Sequence, residues 1–125
     1  MYRSNVRDDL DVKKIRMVYD DSSVYQDDSV VLCQPITDDI NLMLHSATGS
    51  RNTYMLKNIG YELVFVYIVP EDTFDVNLGD DVFSFLILFP YESILITDYA
   101  PGSWVMLDFH TVWPFRMDMW GWWKF

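Results

Sequence analysis

Two stretches of this chain limit its fold more than anything else in it. YELVFVYIV (residues 61–69) and VFSFLILF (residues 82–89) are nearly unbroken runs of β-branched and aromatic residues. Asn58-Ile59-Gly60 precedes the first, and Gly79-Asp80-Asp81 and Pro90 bound the second. Runs of this length between turn residues read as strands, and their near-continuous apolar character reads as cover on both faces. Five more short runs repeat the pattern: KKIRMVY (13–19), SVVLCQ (29–34), TYMLK (53–57), SILIT (93–97) and SWVMLDFHTV (103–112). The Asn-Ile-Gly step between TYMLK and YELVFVYIV predicts a hairpin, with Gly60 supplying a positive φ. Val64, Val66, Phe85, Ile87, Ile94, Ile96 and Val105 form the expected core.

One segment carries helix signals. In TDDINLMLHSATG (37–49), Thr37 can cap, Asp38 and Asp39 suit the positive end, and Gly49 can terminate. Ile40, Leu42 and Leu44 in the same segment also alternate at period two. A second short helix is expected over residues 6–14. The fold class is mainly β, an antiparallel sandwich or barrel with one or two short helices; α+β is the alternative. A chain of 125 residues implies a single domain over 1–125, with residues 1–12 a flexible or helical arm.

The C-terminal segment WPFRMDMWGWWKF holds four of the five tryptophans. Trp113, Phe115, Met117 and Met119 alternate with Pro114, Arg116 and Asp118, so one face of a strand is apolar. Pro114 places that strand at a sheet edge, because proline donates nothing to a ladder. Trp120 and Trp122 fall on the opposite face and are expected as contact surface.

Charge is unevenly spread. The net charge is -10, and no lysine or arginine occurs between Lys57 and Arg116. Nine carboxylates lie in that gap: Glu62, Glu71, Asp72, Asp75, Asp80, Asp81, Glu92, Asp98 and Asp108. With no local bases, they are expected to form the main negative surface, with Asp72, Asp75, Asp80 and Asp81 exposed. Such a surface repels nucleic acid and anionic lipid, and attracts basic proteins. Five Asp-Asp pairs (8–9, 20–21, 27–28, 38–39 and 80–81) punctuate the apolar runs and read as loop and cap residues.

Catalytic and metal motifs are weak. Asp108 and His110 share a strand face and His45 could join them, but with no ligand signature no metal site is assigned. DVNLGDD (75–81) lacks the register and closing glutamate of a calcium loop. Cys33, the one cysteine, sits in an apolar run and reads as buried core. It permits no internal disulfide, so a cytoplasmic setting is expected. The polar start lacks a signal peptide's apolar core, and no run reaches the roughly 18 apolar residues of a membrane helix.

The reading that follows is a small acidic protein that works by binding, without catalysis and without a cofactor. It is of the inhibitor, immunity or viral and phage accessory kind. Its carboxylates would mimic nucleic acid and occupy a basic, nucleic-acid-binding site on a partner protein; the chain itself would not bind nucleic acid. The expected partner-binding residues are Asp72, Asp75, Asp80, Asp81, Trp120 and Trp122. One alternative is an assembly subunit that forms a homodimer through its C-terminal aromatic edge strand. Another is a small enzyme or metal-binding protein.

Overall fold

The computed structural model describes residues 14–76, 82–83 and 85–111. Eleven strands account for most of them: β1 (Lys14–Val18), β2 (Ser22–Ser23), β3 (Asp28–Cys33), β4 (Ile40–Met43), β5 (Thr53–Asn58), β6 (Val64–Tyr67), β7 (Thr73–Val76), β8 (Val82–Phe83), β9 (Phe85–Leu88), β10 (Ser93–Ala100) and β11 (Ser103–His110). They form a seven-stranded sheet, β1-β3-β5-β10-β11-β7-β8, and a four-stranded sheet, β2-β4-β6-β9. The two sheets pack on one core, so the architecture is a β-sandwich as expected.

The strand pairing corrects the antiparallel expectation. Through β6 the chain changes sheet after every strand, so β1, β3 and β5 stack in parallel in one sheet. Likewise β2, β4 and β6 stack in parallel in the other. The first half is therefore a three-turn coil. Antiparallel pairing enters with β6–β9, β7–β8, β5–β10 and β10–β11. Both sheets are consequently mixed. The predicted hairpin at residues 58–60 is instead a crossing between sheets, from β5 to β6. VFSFLILF also divides, β8 joining the large sheet and β9 the small one.

No helix occurs among the described residues. The one predicted over 37–49 is replaced by β4, whose Ile40 and Leu42, with Leu44 beyond it, are all buried. The period-two signal prevails because β4 lies between two parallel neighbours and turns one face to the core. Residues 1–12 and most of the second predicted helix lie outside the described residues.

Core residues come from alternate positions on both sheets. Val31, Cys33, Tyr54, Leu56, Phe74, Ile94, Ile96 and Trp104 face inward from the large sheet, and Ile40, Leu42, Val64, Val66, Leu86 and Leu88 from the small one. Val64, Val66, Ile94 and Ile96 are thus core, as expected. Phe85, Ile87 and Val105 are only half-buried, because their neighbours Leu86, Leu88, Trp104 and Met106 take the inward positions. An unbroken apolar run does not reveal its inner face, and a one-residue error exchanges the two faces. The 61–69 and 82–89 runs are also not covered on both sides to the same degree. Phe65, Tyr67 and Phe85 form a half-buried aromatic row outside the small sheet, with ring centroids 6.4 and 5.8 Å apart.

Polar side chains tie the layers together. Asn58, fully buried on β5, donates to Leu88 O on β9 at 2.9 Å and to Glu62 O at 2.7 Å, and accepts from Gly60 N at 2.8 Å. Gly60 is required by space and not by a positive φ, since a Cβ there would overlap the backbone of Pro35. Buried Trp104 donates its indole N–H to His45 O at 3.2 Å.

Candidate functional site

Two of the aspartate pairs mark corners of the coil. Asp20-Asp21 lies between β1 and β2, and Asp38-Asp39 between β3 and β4. Because β3 stacks parallel to β1 and β4 parallel to β2, successive corners also stack. Two aspartate pairs 18 positions apart in sequence thereby line one open concavity of about 420 Å³, with Tyr19, Gln34, Ile36 and Thr37.

The four carboxylates divide into two roles. Asp21 accepts the Asn41 backbone N–H at 2.8 Å, and Asp39 accepts the Leu63 backbone N–H at 2.9 Å. Each thus anchors the next turn of the coil. Asp20 and Asp38 are exposed and make no hydrogen bond or ion pair among the described residues. Tyr19 and Ile36 add exposed apolar surface beside them.

No base among the described residues lines this concavity. Lys14 pairs with Asp27 at 3.3 Å, and Arg16 pairs with buried Asp28 at 2.9 Å. Arg16 also donates through Nε to Asp28 Oδ1 at 3.1 Å and lies over the Tyr25 ring, 4.3 Å from its centroid. The hydrogen bond to Asp28 pushes its pKa up despite the opposing effect of burial. Arg51 stacks on Tyr99, 4.8 Å from the ring centroid. Asp20, Asp21, Asp38 and Asp39 therefore form a negative face that the described lysines and arginines leave unneutralised.

The base-free gap gives a different picture from the one its composition suggests. Asp72, Glu92 and Asp98 are buried. Asp72 accepts the Ala47 N–H at 2.8 Å, which corrects the expectation that it is exposed. Glu92 accepts the Phe89 N–H at 2.9 Å and the Thr111 hydroxyl. Asp98 accepts from Thr48 N at 2.8 Å, Thr48 Oγ1 at 2.9 Å and Ser50 Oγ at 3.0 Å, and also from Gly49 N. Burial raises the Asp98 pKa, but these four donors outweigh it and hold the carboxyl below its ordinary range. Acids without a local base are thus matched by backbone and hydroxyl donors. Asp75 is half-buried, and Glu71 and Asp108 are exposed. Asp80, Asp81, Trp120 and Trp122 lie outside the described residues, as does the rest of the C-terminal aromatic segment.

Neither Cys33 nor His45 acquires a reactive setting. Burial pushes the Cys33 thiol up to about 12 despite the nearby Arg16 charge, so it is a packing group. His45 lies in an aromatic cluster, 5.1 Å from the Trp104 ring and 5.7 Å from the Tyr54 ring. Its Nδ1 faces Ser46 O at 3.0 Å, and a carbonyl only accepts, so Nδ1 carries a proton. In the neutral ring Nε2 then accepts from Tyr54 OH at 3.1 Å. Burial raises the Tyr54 pKa and keeps that hydroxyl a donor. Among the described residues no group of three or more His, Cys, Asp or Glu could hold a metal ion, and no helix is long and apolar enough to cross a membrane. The four concavity carboxylates therefore form no such group.

No protein-family model matches this sequence, and comparison with curated proteins and with solved structures found no match.

Proposed function

We propose that this chain is a small acidic interaction protein, acting in the cytoplasm without catalysis, that occupies a basic site on a partner protein. The observation that carries this reading is the concavity of stacked corners, with two free carboxylates, two anchored ones and no base among the described residues. A nucleic-acid-binding groove on a nuclease or polymerase has the matching chemistry, since it is built to receive closely spaced negative charge. Inhibition, immunity and viral accessory roles all use such an occupant. Tyr19 and Ile36 would supply desolvated contact beside the charge; Asp75, on β7 near the far edge of the large sheet, would belong to a separate acidic contact, with Asp80 and Asp81 close to it in sequence.

The test is competition. The protein should displace duplex DNA from a basic DNA-binding protein at low salt and lose that ability as salt rises. Asp20→Asn with Asp38→Asn should weaken displacement while leaving the fold intact. Equal displacement by this double variant and the parent protein would rule out the concavity as the contact. The alternative reading, a homodimer held by the C-terminal aromatic strand with Trp120 and Trp122, instead requires an oligomer that is insensitive to salt and lost on removal of residues 112–125.

A further inference from the structure

The two sheets are unequal, and the difference falls at one place. Laid over each other in order, they put β2 over β1, β4 over β3, β6 over β5 and β9 over β10. The Asn58 side chain on β5, reaching Leu88 O on β9, fits that alignment. Over β11, the next strand of the large sheet, lies no described strand of the small one. The inward side chains of β11 are nonetheless covered. Trp104 meets His45, but Met106, 7% exposed, and Phe109, packed against the core, lie farther along the strand. On its other side this place borders β9. Because Ile40 N and Leu44 N bond to Leu63 O and Tyr67 O, the odd-numbered residues of β6 face β4. Val64 and Val66 therefore face Leu88 and Leu86, and Phe85 and Ile87 turn their N–H groups outward, toward the place over β11. None of Ile87, Phe89 and Phe109 is without a partner, which argues against an open edge.

We propose that residues 112–125 of this chain fill that place as a fifth strand of the small sheet, antiparallel to β9. The point where the chain leaves β11 supports this. β11 ends at the same end of the sandwich as β1, β3 and β5, since it pairs antiparallel to β10 and β10 antiparallel to β5. After β1, β3 and β5 the chain crosses there to the small sheet. Thr111 is held at that end too, its hydroxyl donating to Glu92 in the corner between β9 and β10. A crossing at that corner enters the small sheet beside Phe89 and runs back along β9. Residues 112–125 are more than long enough to pass the four residues of β9. Their alternation also fits. Trp113, Phe115, Met117 and Met119 close over Met106 and Phe109, and Arg116 and Asp118 take the outer face beside Ile87. A second copy of the chain has no such tether to the corner.

Two measurements on the full chain test this. Neighbouring strands lie about 5 Å apart, so in Ile87→Cys with Arg116→Cys a short bismaleimide should join the two thiols within one chain. Buried Cys33 stays out of the reaction. Ile15→Cys with Arg116→Cys places the first thiol on β1, at the opposite edge of the large sheet, and should give no such product. In the unmodified protein, hydrogen exchange read by NMR should show the amides of Phe85 and Ile87 as slow as those of Leu86 and Leu88. Fast exchange at Phe85 and Ile87 would overturn the proposal even if the double variant failed to fold. So would a folded double variant that gives no product, a product equal to that of the Ile15 control, or one that joins two chains. The last outcome would instead support the homodimer held by the C-terminal strand. Neither position lies in the acidic concavity, so the partner-binding reading stands or falls separately.

Discussion

The carboxylate of Asp98 on β10 receives the backbone N–H of Thr48, fifty residues earlier in the chain, at 2.8 Å. The same side chain holds Thr48 Oγ1 and Ser50 Oγ, and its own backbone pairs with Arg51 N and Asn52 O. One aspartate therefore fixes the whole 48–52 loop, and Gly49, at φ +82°, lets the chain turn beneath it. Asp98→Asn keeps the shape but loses the charge and one acceptor oxygen. The expected cost is about 3 kcal/mol, read from urea unfolding with an unchanged m-value.

The lowered Asp98 pKa fixes the sign of an acid effect. The folded value lies below the ordinary 3.8, so between the two the unfolded chain binds more protons. The stabilisation is complete above about pH 4 and is lost as pH falls through the folded pKa. Asp98→Asn should therefore flatten this part of the acid limb of stability against pH. An unaltered acid limb would show that other carboxylates govern it.

Cys33 should resist alkylation in the native protein at about pH 8, since its thiol is buried and titrates near 12. Full modification should appear only with unfolding, and mass spectrometry after iodoacetamide treatment with and without urea reads the difference.

The paired corner aspartates should separate structure from contact. Asp21→Ala and Asp39→Ala remove acceptors of the Asn41 and Leu63 backbone N–H groups and should lower the melting temperature. Asp20→Asn and Asp38→Asn should leave it unchanged and act only on capture of a basic partner. Parallel melting and binding curves on all four variants test the division.

Gly60→Ala should cost about 1–3 kcal/mol by overpacking, because the new methyl meets Pro35 at a distance no real contact reaches. A melting temperature equal to the parent's would mean that the Pro35 segment yields without cost.

Much of the strand content was legible in the sequence. The runs at 13–19, 29–34, 53–57, 93–97 and 103–112 each coincide with a strand to within a few residues at its ends, because short β-branched stretches between turn residues have few other stable outcomes. The pairing was not legible. A hairpin and a crossing between sheets need similar turn residues, and Asn58-Ile59-Gly60 serves the second through the Asn58 side chain and the space beneath Pro35. The acidic concavity escapes sequence reasoning for a related reason. Asp20-Asp21 and Asp38-Asp39 are turn residues, as their composition implies, but only the coil brings them together. The signal present is slight: each pair follows a strand-like run within a few residues. The base-free gap misleads because composition counts charges without saying which ones are inside, and Asp72, Glu92 and Asp98 are.

The coil also sets an order of events during synthesis. Its turns close loops of roughly twenty residues, so β1 to β6 can assemble as they leave the ribosome. Yet β5 waits for β10 and β6 waits for β9 before either sheet is closed on that side. Until roughly twenty to forty more residues have been made, the nascent chain exposes one unpaired strand edge in each sheet, both at the same end of the coil. That interval is when it is most open to pairing with another nascent copy, and slow translation between β6 and β10 would lengthen it.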